Sequence, residues 1–170
     1  MTRNLGMGGH ESAVMGKDEW LTPPEIIRAL GSFELDPCAP VARPWATAIR
    51  HFTVDDNGLM LDWCGRVWMN PPYGPHVGIW LAKLAAHGTG TALIFARTET
   101  DAWHRYVWPL ATSIAFLRGR LCFHHVNGER AQNSAGAPSA LIAYGDLDDY
   151  ALRDAVENKR INARYIRLGM

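Results

Sequence analysis

The sequence predicts an α/β fold, a mixed sheet with parallel strands at its centre and helices on both faces. Three observations predict it. Short runs at 32–36, 66–69 and 91–96 are closed by an acid, a proline pair or a polar residue. Segments with helical apolar spacing fall between them, the alternation of a crossover-connected sheet. The run 91–96 is almost continuously apolar, the pattern of a strand covered on both faces.

Residues 1–17 hold four glycines without sustained periodicity and read as a flexible leader to a domain spanning 18–146. A helix start follows: Thr22 as cap, Pro23 in the first turn and Glu25 as capping-box partner, with Ile26, Ile27 and Leu30 as the buried face and Gly31 as the stop. A short strand at 32–36 ends on Asp36. Residues 43–52 are ambiguous, with a helix opening after Pro44, and Asp55-Asp56-Asn57-Gly58 forms a polar turn. A second strand, 66–69, is halted by Asn70-Pro71-Pro72-Tyr73-Gly74, because two prolines cannot continue a central ladder. A helix at 75–87 buries Trp80, Leu81 and Leu84. Strand 91–96, a loop at 97–101, a helix at 102–110 and strands 113–117 and 139–144 complete the body. The polar stretch 123–138 reads as a mobile loop, and residues 147–170 as a C-terminal helix and tail. In such a sheet, ligands bind at the carboxyl ends of the parallel strands.

At 170 residues the chain has the length of one domain. Lys+Arg and Asp+Glu balance at 17 each, which excludes a polybasic binder of nucleic acid or membrane and leaves local patches to decide. Fourteen of the basic residues are Arg, suited to forked contacts with carboxylate or phosphate, although a GC-rich genome gives the same bias. From Trp103 to Arg130 four Arg (105, 118, 120 and 130) face one acid, Glu129. Cys38, Cys64 and Cys122 form no CxxC pair, and no apolar run nears 18 residues, so the expected setting is cytoplasmic, without a membrane span. Cys122, His124 and His125 lack a second ligand pair, and adjacent histidines in a strand point apart, so no metal is expected. Trp63, Trp68 and Trp80 read as core.

Asn70-Pro71-Pro72-Tyr73, at a strand end, carries the chemistry. A plain proline-rich turn is one reading. The other assigns each residue work on a planar exocyclic amine: the Asn70 carboxamide oxygen and Pro71 carbonyl accept its N–H bonds, the proline pair stiffens the loop, and Tyr73 offers a stacking face.

Asn-Pro-Pro-Tyr resembles motif IV of amino methyltransferases that use S-adenosylmethionine. With the strings 19–24, Leu35-Asp36-Pro37-Cys38-Ala39, Val67-Trp68-Met69, 96–100 and 118–123, the chain from 18 to 144 is similar to the phage-type DNA N6-adenine methyltransferase (Dam) family. The resemblance implies a single-domain S-adenosylmethionine methyltransferase (Rossmann-like) fold with motifs in the order X, I, IV. It implies S-adenosylmethionine as cofactor, DNA as partner, a flipped adenine as substrate, and the cytoplasm of a bacterium or phage-infected host. Asn70, Pro71, Pro72 and Tyr73 are then catalytic. Trp20, Thr22 and Pro23 (motif X), Asp36, Pro37, Cys38 and Ala39 (motif I), Asp55 and Asp56, and Asn70 bind cofactor. Arg97, Arg118, Arg120 and Arg130 bind DNA. The chain departs from common methyltransferases in lacking Gly-x-Gly after Asp36, so its backbone approaches a carboxylate less closely there and side chains such as Thr22 substitute. Plainer readings stand beside these: Asp36 as a cap, Asp55 and Asp56 as a solvated turn, and Arg97 paired with Glu99 or Asp101. A protein glutamine methyltransferase and a DNA-binding relative without catalysis are the alternative functions. The recognised DNA sequence, strand preference and oligomeric state stay open.

Overall fold

The computed structural model describes residues 19–169, and the leader expected over residues 1–17 lies outside them. Helix α1 (Pro24–Leu30) buries Ile26, Ile27 and Leu30. Its start differs from the expectation: Pro23, at φ −52° and ψ 129°, is the N-cap, so Thr22 lies one residue too early and no side chain caps the helix. Pro24 fills the first turn, where a missing N–H costs nothing.

Strand β1 (Leu35–Asp36) pairs in parallel with β2 (Arg50–His51) and with β3 (Val67–Met69). No helix opens after Pro44; the segment runs as bends into β2. Side chains take its backbone groups instead. His51 Nε2 accepts from the Thr47 and Ala48 amides, both at 3.3 Å, and Arg43 Nη1 donates to the Pro40 carbonyl at 2.7 Å. Helix α2 (Val77–His87) leads to β4 (Gly90–Phe95), parallel to β3. The helix expected at 102–110 is a π-helical turn, Trp103–Val107, closed by the Trp108 N–H on the Trp103 carbonyl. Strands β5 (Ser113–Leu117) and β6 (Ser139–Tyr144) carry the expected bounds.

The expected C-terminal helix is α3 (Asp146–Glu157), but the chain then returns as a strand the sequence reading missed, β7 (Ala163–Arg167). It pairs antiparallel with β5, and Asp149 of α3 ties it down by accepting from the Tyr165 hydroxyl at 2.5 Å and Arg167 Nη1 at 3.1 Å. The tail is therefore part of the sheet.

The seven strands lie in the order β2-β1-β3-β4-β6-β5-β7. Because β6 opposes β4 and β5 opposes β6, strands β1, β3, β4 and β5 all end on one edge. The chain steps from β1 out to β2 and back across to β3, so the order reverses at β1, and a crevice opens there between loops that diverge. One face of the sheet packs Val67, Met69, Ile94 and Ile142 against α2 and the π-turn. The other packs Trp68, Leu93, Leu141 and Ala143 against α1 and α3. A buried clamp joins these layers. Arg66 donates to Asp148 Oδ1 through Nε at 2.8 Å and to the Leu30 carbonyl through Nη1 at 2.8 Å, and Thr91 donates to the same Asp148 oxygen at 2.7 Å. Among the described residues no helix is long and apolar enough to cross a membrane.

Candidate active site

A cleft of about 580 Å³ lies at the order reversal, walled by the loops after β1 and β3, by residues 53–58, and by Glu19 and Trp20. That volume suits a small organic ligand. The structure brings together Trp20, Pro37, Cys38, Ala39, Asn70, Pro71, Pro72 and Tyr73 on its lining.

Asn70 follows β3 directly, so sheet pairing fixes its position. Its Nδ2 donates to the Trp20 carbonyl at 3.0 Å, and its Oδ1 accepts from the Tyr73 hydroxyl at 3.3 Å. A carboxamide oxygen has two lone pairs, so the second is open to an incoming N–H. Tyr73 stacks one face on Phe95, centroids 4.1 Å apart and planes at 18°, and meets Phe123 edge-on at 6.1 Å. Burial, with Cys38 nearby, pushes the Tyr73 hydroxyl well above its ordinary range, so it stays a neutral donor.

Asp36 stands behind the wall, 3% exposed. Its Oδ1 accepts the Cys38 amide at 3.1 Å and its Oδ2 the Thr47 hydroxyl, so it fixes the loop lining the cleft. Burial pushes its carboxyl up to about 6, against the pull of the Thr47 bond. Burial and the neighbouring Asp36 raise the Cys38 thiol as well, so it lines the cleft unionised. Gly58 packs directly against this loop, where a Cβ would come within 2.0 Å of the Pro37 carbonyl oxygen.

Thr22, Pro23, Asp55 and Asp56 are not on the lining. Asp56 turns back to accept from the Thr53 amide at 2.8 Å and hydroxyl at 3.0 Å, bonds that hold its carboxyl below the usual range, and Asp55 is exposed. Thr53, Val54, Asn57 and Gly58 of that turn line the cleft instead. Glu19 is the one charged side chain on the lining among the described residues. Sequence reasoning missed it because no periodicity marks an acid four positions before the helix cap Pro23; its place beside Trp20 was the available signal.

The arginines stand on the same sheet edge but outside the cleft. Arg97 follows β4, and among the described residues it forms no ion pair; Asp101 pairs with Arg105 at 3.7 Å. Arg118 follows β5, and Arg120 Nη1 donates to the Ala135 carbonyl at 3.1 Å. Arg130 is exposed in the 123–138 segment, whose backbone is hydrogen-bonded to Leu21 and to itself. Among the described residues no three His, Cys, Asp or Glu side chains gather as metal ligands would.

Compared with known proteins, residues 10–159 match the family model described as DNA N-6-adenine-methyltransferase (Dam). No curated protein and no solved structure matches the chain.

Proposed function

The chain belongs to the DNA N-6-adenine-methyltransferase (Dam) family, and from that membership we propose that its cleft binds S-adenosylmethionine and transfers the methyl group to the N6 amine of an adenine flipped out of DNA. The observation that carries the reading is the setting of Asn70: it lines the cleft with both amide ends engaged, and its oxygen, bonded once by the Tyr73 hydroxyl, keeps a second lone pair.

The cleft fits the cofactor. Trp20, on the lining, carries a buried Nε1 donor without a partner, and such a group calls for an acceptor, which a methionine carboxylate supplies. Glu19 offers the counter-charge for an ammonium. Pro37, Cys38 and Ala39, held by Asp36, form the wall that a Gly-x-Gly loop supplies elsewhere, and Val54 and Asn57 flank a planar base. When bound, S-adenosylmethionine supplies a methyl group on a sulfonium that leaves as a neutral thioether.

The protein's own part is positioning. Asn70 Oδ1 and the Pro71 carbonyl accept the two amine N–H bonds and so aim the nitrogen lone pair, while the proline pair keeps both acceptors in place before substrate arrives. The amine attacks as a neutral nucleophile and its extra proton leaves afterwards, so an amide serves where a base is not required. Flipping costs a few kcal/mol, and stacking against the open face of Tyr73 offsets about 1–3 kcal/mol of it. Arg97, Arg118 and Arg120, on the same edge, meet the phosphates.

The test is transfer of labelled methyl from S-adenosylmethionine to plasmid DNA, with a cell protein extract as competing acceptor. Label in DNA that is lost with Asn70→Ala supports the reading. Label confined to protein points to glutamine methylation and refutes it.

A further inference from the structure

Residues 121–135 are not the free loop that their composition suggests. His124 bridges antiparallel to Leu21 on one side and to Arg130 on the other, so the segment folds as a short hairpin held by single bridges outside the main sheet. Its bonds are regular: Leu21 N–H to the His124 carbonyl and His124 N–H to that of Leu21, both at 2.9 Å, and Ala131 N–H to the Phe123 carbonyl at 2.8 Å. The tip is braced by Asn127, whose Oδ1 accepts the Glu129 amide at 2.9 Å, and by Gly128, which at φ +90° turns the chain against Pro44.

This ribbon is joined to the cleft at two points. His125 packs on the Trp20 ring at 4.9 Å, and Phe123 meets the Tyr73 ring at 6.1 Å. Arg130 stands on its outer arm, Gln132 and Asn133 follow in the bend beyond it, all three exposed, and Arg120 is tied to its base through Ala135. Arg130 enters no ion pair among the described residues. These are the side chains that read base edges, a guanidinium matching guanine O6 and N7 and a carboxamide matching adenine N6 and N7. A two-stranded ribbon also has the width that a major groove admits.

We propose that the ribbon is the sequence reader of this protein, with Arg130 on a guanine and Gln132 and Asn133 on neighbouring bases, while Arg118 and Arg120 contact phosphate. The inference rests on the DNA-methylating reading above.

The experiment methylates a plasmid library of randomised sequence with the parent, Arg130→Ala, Gln132→Ala and Arg118→Ala chains, and maps N6-methyladenine at base resolution. Thermal melting confirms that each variant is folded, and Arg130→Lys replaces any that is not, since an ammonium keeps the charge but loses the forked contact. Arg130→Ala should lose about 5- to 150-fold of discrimination at a single position of the preferred sequence. Arg118→Ala should lower methylation at all sites and leave the preferred sequence unchanged. An unchanged preference in both ribbon variants, or a parent that methylates adenines without preference, overturns the reader and leaves the activity standing. A parent that methylates no DNA overturns both.

Discussion

Asp148→Ala should be the most damaging single substitution away from the cleft. Asp148 is wholly buried and Arg66 is 8% exposed, so their ion pair at 2.8 Å is almost out of water. Burial outweighs Arg66 and the threonine bonds in setting the Asp148 carboxyl, which lies above its usual range; desolvation is thus the largest cost in this pair. Such a pair adds little net stability, yet removing one partner strands the other charge and costs about 3–5 kcal/mol. Arg66 would keep the Leu30 and Ser32 carbonyls and the Phe33 ring, 4.1 Å away, but no counter-charge. Thr91 would lose its acceptor too. For a chain of this length the melting temperature should fall by about 6–20 °C. The assay is urea and thermal unfolding of the parent, Asp148→Ala, and the double variant Arg66→Met/Asp148→Leu, which removes both charges and should recover most of the loss. A drop below about 1 kcal/mol in the single variant, or no recovery in the double, would refute the reasoning.

Asn70→Ala should abolish methyl transfer while calorimetry shows cofactor affinity within a few-fold of the parent; an equal loss of binding would move Asn70 to the donor side. Asp36, raised to about 6 in the fold against an ordinary value near 4, should make the protein more stable below pH 4 and cost about 3 kcal/mol of that contribution as pH rises from 4 past 6. Unfolding free energies of the parent and Asp36→Asn across that window check this, since the asparagine variant should lose the slope. Arg118→Ala and Arg120→Ala should each weaken DNA binding across sequences and reduce the log–log salt slope by about one unit, read by fluorescence anisotropy at several salt concentrations. Parent-like binding at low and high salt would leave these arginines as solvated surface.

What the sequence disclosed and what it hid follow from how local each signal is. β5 and β6 were legible to the residue because unbroken apolar runs end at polar breakers, and Asn70-Pro71-Pro72-Tyr73 was legible because prolines stop a strand wherever the chain goes next. The segment 43–52 was not, because its backbone donors are taken by His51, a side chain whose position depends on β2 pairing with β1. β7 was hidden for a similar reason: its residues are at most half-buried, and Asp149 holds them from another element. In the site, Asp36 was correctly marked as an acid at a strand end, but only the fold shows it turned away from the cleft toward Thr47 and the Cys38 amide. Asp55 and Asp56 drew attention by charge, whereas the neighbours Val54 and Asn57 reach the lining.

The most direct measurement is nucleoside mass spectrometry of DNA from a methylation-free host after incubation with the purified chain and S-adenosylmethionine. N6-methyldeoxyadenosine should form with the parent chain and be absent from the Asn70→Ala reaction. Methyl groups on cytosine, or unmodified DNA from a folded chain that binds the cofactor, would contradict the proposed activity.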